Sequence, residues 1–66
     1  MRFLVENSQT QEYLTSVGKW SKNHLEGEVF ISMTTALGAV GHTAIEKFNL
    51  VFIDSQANQY LKLNYR

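Results

Sequence analysis

The sequence predicts a two-layer α+β domain: one helix packed on a three- or four-stranded, mainly antiparallel sheet. Three observations lead there. Phe48 to Asp54 is almost continuously apolar, and Gln59 to Tyr65 alternates apolar with polar residues. The short polar run Ser55-Gln56-Ala57-Asn58 separates them, which is the pattern of an antiparallel hairpin. Upstream, apolar residues recur at spacings of three and four between two further strand-like runs, the pattern of an amphipathic helix. Sixty-six residues make a single domain, 1–66.

Met1 to Glu6 reads as the first strand, with Phe3 and Val5 on one face and Leu4 on the other, both covered. Asn7-Ser8-Gln9-Thr10 supplies helix-capping residues; Ser8 has Gln11 at the capping-box offset. From Gln9 to His24 the apolar stripe is Tyr13, Leu14, Val17 and Trp20, with Leu25 beyond, and Gly27 is the expected terminator. Gly18 costs such a helix about 1 kcal/mol relative to alanine.

Glu28 to Thr34 reads as a second strand. Val29, Ile31 and Met33 are expected to face the helix, which leaves Phe30 at a second layer or a subunit contact. Thr35 to Lys47 supports two readings. A short broken helix would carry Leu37, Val40 or Gly41, Ala44 and Phe48 on one stripe. The reading preferred on propensity is a loop followed by a long strand from Thr43 or Ala44. Two glycines cost a helix about 2 kcal/mol together, and Thr34, Thr35, Val40 and Thr43 are β-branched. In the final hairpin, Leu61, Leu63 and Tyr65 are assigned to the core with Phe48, Leu50 and Phe52. Val51 and Ile53 point the other way.

Composition narrows the function classes. Six basic and six acidic residues balance, with no run of either sign, whereas nonspecific nucleic-acid binders carry a positive excess. There is no cysteine, so no disulfide or thiolate metal site forms, in keeping with a reducing compartment. No segment approaches the roughly 20 apolar residues of a membrane span, and a cytoplasmic location is the default. A domain this short buries only about 60% of its extended surface. Ordering it costs about 1–2 kcal/mol of backbone entropy per residue, which favours help from a partner subunit.

Candidate sites follow from residue type. Trp20, Phe30, Val51 and Ile53 are apolar residues that one core does not absorb, and they form the candidate interface. Tyr60, Lys62, Asn64 and Arg66 line one side of the last strand. Stacking tyrosine beside Lys and Arg suits single-stranded nucleic acid, particularly with Lys19 and Lys22 on the same surface. The same alternation also describes a solvated outer strand. Gly38, Gly41 and His42 form an anion-loop candidate, but they lack the Gly-Lys-Ser/Thr ending of a phosphate loop and the spacing of a dinucleotide fingerprint. His24 and His42 have no metal-ligand spacing. No catalytic pair, cofactor site or metal site is assigned, and the chain is not expected to be an enzyme. The expected function is protein–protein interaction, as a small regulatory protein of bacterial or phage type that self-associates as a homodimer or higher. A nucleic-acid-binding module and a structural subunit of an assembly are the alternatives.

Overall fold

Three full-length strands carry the molecule. The computed structural model describes residues 2–41, 43, 47–54, 56 and 58–65, with 60–65 by their backbone only. Strand β1 (Arg2–Asn7) pairs antiparallel along its whole length with β4 (Phe48–Ile53), from Arg2↔Ile53 to Asn7↔Phe48. β4 pairs in turn with β5 (Gln59–Tyr65), from Phe48↔Tyr65 to Ile53↔Gln59. A register irregularity at Phe52/Ile53 leaves Tyr60 as the extra residue. The expected first strand and C-terminal hairpin are therefore present. Two two-residue strands, β2 (Tyr13–Leu14) and β3 (Trp20–Ser21), extend the sheet to the order β3-β2-β1-β4-β5. With one α-helix packed on this antiparallel sheet, the fold is the expected two-layer α+β arrangement.

The helix lies elsewhere than expected. Gln9 to His24 forms a hairpin, because polar side chains close turns there. The Asn7 Oδ1 accepts from the Gln9 and Thr10 amides, and Gln11 takes a positive φ of 61° as the chain reverses. Tyr13 then pairs with Glu6. After Leu14 a second turn is closed by the Lys19 amide, which donates to the Thr15 hydroxyl. It needs Gly18 at φ 78°, a backbone conformation that costs a residue with a Cβ about 1–2 kcal/mol. The apparent helical stripe breaks apart. Tyr13 and Leu14 go to opposite faces of the sheet, while Val17 and Leu25 stay exposed at 76% and 68%.

A single 3-10 turn, His24–Glu26, follows, with the Asn23 Oδ1 accepting from the Leu25 amide. The chain then lies against the sheet. Gly27 bridges Thr15, and a Cβ on it would sit 3.2 Å from the Tyr13 Cβ and 3.3 Å from a Leu4 methyl, so only glycine fits without displacement. Phe30 bridges Phe3, and the expected strand over Glu28–Thr34 is reduced to that bridge and the Glu28 amide bond to the Leu14 carbonyl. Its faces are also inverted: Phe30 is buried, while Val29, Ile31 and Met33 are exposed.

Helix α1 (Met33–Val40) takes up the stretch for which a loop was preferred. Packing outweighs propensity. Ala36 is fully buried, Val40 nearly so, and Ala39 packs against the same cluster. Gly38 stays exposed, where it costs propensity but opens no gap in the core. The strand after it begins only at Phe48, later than expected: Thr43 is in a bend and Lys47 is outside the strand, while residues 44–46 lie outside the described residues.

Two cores result, one on each face of the sheet. The larger joins Phe3, Val5, Phe48, Leu50 and Phe52 to Leu14, Phe30 and the helix, with Phe3 and Phe52 edge to face at 5.8 Å between ring centroids. The smaller consists of Leu4, Tyr13, Val51 and Ile53. Both faces of β1 and β4 are therefore buried.

Candidate interaction surface

The expected interface residues have internal partners. Phe30, Val51 and Ile53 are 3%, 0% and 3% exposed, and Trp20 is half-buried against the larger core. The premise that one core cannot absorb them fails because there are two. Val51 and Ile53 belong to the smaller core, and Phe30 fills the larger one through its bridge to Phe3.

The exposed apolar residues are different ones. Ile31 is 78% exposed, Val29 45%, Met33 41% and Leu37 40%. Met33 and Leu37 are four apart on α1 and share one flank of it, beside the buried stripe of Ala36 and Val40. Thr34, Gly38 and Gly41 continue the exposed surface around the helix, all small and uncharged. No Asp, Glu, Lys or Arg occurs from Val29 to Ile45. The signal was thus legible as a charge gap, but the stretch reads as interior until its register on the sheet is known.

The anion-loop candidate meets a helix end. Gly38 lies inside α1, and the Gly41 amide is occupied, donating to the Leu37 carbonyl. The end of a helix that these glycines approach carries its negative partial charge, which disfavours an anion. His42 lies outside the described residues. Of the candidate nucleic-acid face, Arg66 also lies outside them. Tyr60, Lys62 and Asn64 are placed by backbone register alone, with Lys62 opposite Val51 and Asn64 opposite Asn49. Lys19 and Lys22 are exposed but flank β3, the terminal strand at the other end of the ladder from β5.

Polar groups inside the fold are few and placed. Glu6 and Asn49 are cross-strand partners on the second face, and the Asn49 Nδ2 donates to the Glu6 Oε1 at 2.8 Å within the buried interior. The Asn49 Oδ1 has no hydrogen-bond partner among the described residues. The Gln59 Nε2 donates to the Tyr13 hydroxyl at 2.7 Å, which ties β5 to β2 across the smaller core. His24 meets the Tyr13 ring edge to face. At the hairpin tip the Asp54 carboxylate accepts from the Asn58 and Gln56 amides, and these bonds hold its pKa below the ordinary value of 3.8. The Arg2 guanidinium caps the Asp54 carbonyl at 2.8 Å.

Among the described residues, no three His, Cys, Asp or Glu side chains gather as metal ligands would. No described helix is long and apolar enough to cross a membrane. No protein-family model matches the chain, and neither a curated protein nor a solved structure is detectably similar to it.

Proposed function

We propose that this protein is an interaction module whose contact surface is the exposed flank of α1 together with the segment that leads into it. The observation that carries the reading is the exposure of Ile31, Met33 and Leu37 within a stretch free of charged residues. Contiguous apolar surface left in water is costly, and contact with a partner removes that cost. Interface cores are depleted in charge and enriched in residues such as Met, as this flank is. A regulatory role through a larger protein accords with the small size of the domain.

Ile31→Glu with Leu37→Glu tests the reading. Both side chains are outside the cores, so the fold should persist, with stability changed by about 0.5 kcal/mol or less per site. A partner recovered from the native host with the parent protein should be lost with this double variant and kept with Val17→Glu, which places a charge on the separate turn at Gly18. Equal recovery with all three proteins would refute the assignment of the contact to α1.

A further inference from the structure

We propose that the outer edge of β5, the terminal strand of the described sheet, is a self-association site that takes β5 of a second copy, antiparallel, about a two-fold axis. The sheet is asymmetric at its ends. One terminal strand, β3, has two residues; the other, β5, has seven. A terminal strand offers alternating N–H and C=O groups on its outer side, and a further extended backbone is what continues such a ladder. Two of the usual protections of an edge do not act along this strand. The chain has no proline, and the one irregularity falls at the start of β5, leaving the rest of the strand in register with β4.

Two features favour a second copy over an unrelated strand. The protein carries no net charge, so copies do not repel one another at long range. Antiparallel pairing of a strand with itself is also closed by symmetry: both long edges are consumed, and the dimer exposes only the two short β3 edges. The sequence restricts the register. An axis at Lys62 would set two lysines directly opposite, which is unfavourable. An axis at Leu61 or Leu63 sets Lys62 opposite Tyr60 or Asn64 instead, so one of these two registers is expected. A seven-residue ladder is small beside a standard interface, so the dimer forms as a concentration-dependent equilibrium.

The site is independent of the α1 flank, and one experiment separates them. Sedimentation velocity from about 10 μM to 1 mM should show the average mass rise from the 7.6 kDa chain toward twice that value. Hydrogen exchange of the parent protein across the same range should show alternate amides within 59–65 gaining several-fold protection on dilution-sensitive association, with 31–37 unchanged. A single 7.6 kDa species throughout would overturn the proposal, as would association that protects only 31–37. Proline at Lys62 and, separately, at Leu63 removes neighbouring N–H groups that point to opposite edges. Whichever variant keeps its fold should remain monomeric at the top of the range; self-association equal to the parent's in that variant would also overturn the site.

Discussion

The two faces of the sheet are equally dry but differently built. One is covered by a helix and filled by aromatic and aliphatic side chains from five segments of the chain. Over the other, no helix lies among the described residues. Tyr13 lies there with Leu4, Val51 and Ile53, its hydroxyl held by Gln59, and the chain at Gly27 rests on Tyr13 and Leu4. The second face also holds the buried Glu6–Asn49 pair. The contrast shows that a helix is not the only way to bury a sheet. Among the described residues, a close-packed turn and one long ring contribute to that burial, and a glycine allows the approach.

Neighbouring residues of β4 test whether the two faces are equivalent in energy as well as in burial. Leu50 and Val51 are both 0% exposed and point to opposite cores. Leu50→Ala should destabilise by about 2–5 kcal/mol, as large-to-small changes in a packed core do. Val51→Ala removes fewer atoms and should cost about 1.5–3 kcal/mol if the second face is a true core. Urea unfolding midpoints measure both. A cost for Val51→Ala below about 0.5 kcal/mol, the range of surface substitutions, would reduce the second face to a loosely covered surface.

The larger face was readable in the sequence, and the smaller one was not. Phe3, Val5, Phe48, Leu50 and Phe52 announce themselves by period-two alternation in strands long enough to show a period. Tyr13, which lies on the second face, comes from a stretch whose pattern points elsewhere. Tyr13, Leu14, Val17 and Trp20 have helical spacing, yet Gly18 must take a positive φ and the Thr15 hydroxyl closes the turn, neither of which the spacing encodes. Two-residue strands have no period to detect. Phe30 was misplaced for the same reason: one bridge to Phe3 decides its face, and that bridge joins residues far apart in sequence. With Phe30 turned inward, Ile31, Met33 and Leu37 are left outside, so the candidate surface follows from a tertiary contact rather than a local motif. The α1 stretch was undecided because its glycine cost is local and the burial of Ala36 and Val40 is not.

The polar pair gives a sharper test of the second face, with a smaller effect. Asn49→Leu removes the donor to the Glu6 Oε1 and should cost about 0.5–3 kcal/mol, the range for losing one buried hydrogen bond. Glu6→Leu alone should cost a comparable amount, because the Asn49 Nδ2 then loses its acceptor. Replacing both with leucine removes donor and acceptor together, so the double variant should lose less than the sum of the two single losses. A double-mutant cycle measures the coupling, expected at about 0.5–3 kcal/mol. Additive losses would mean that the pair does not act as a unit.

The smallest effect lies at the rim of the second face, where β4 ends. Ile53 pairs with Arg2 there, and the turn that follows is organised by Asp54. Its carboxylate is exposed, yet the Asn58 and Gln56 amides lower its pKa from 3.8, which means that folding favours the ionised form. That contribution is complete above the unfolded pKa and is lost as pH falls through the lower folded value. The parent should therefore lose stability below about pH 4, and part of that loss should be absent in Asp54→Ala. Urea midpoints taken at neutral pH and in steps through the acid range isolate the part due to this carboxylate as the difference between the two curves. The gap between parent and variant should narrow as the pH drops, because protonation removes in the parent what the substitution has already removed. Parallel curves would show instead that the turn amides bind the carboxylate no better in the folded chain than in the unfolded one, and that the rim is held by the Arg2 and Ile53 pairing alone.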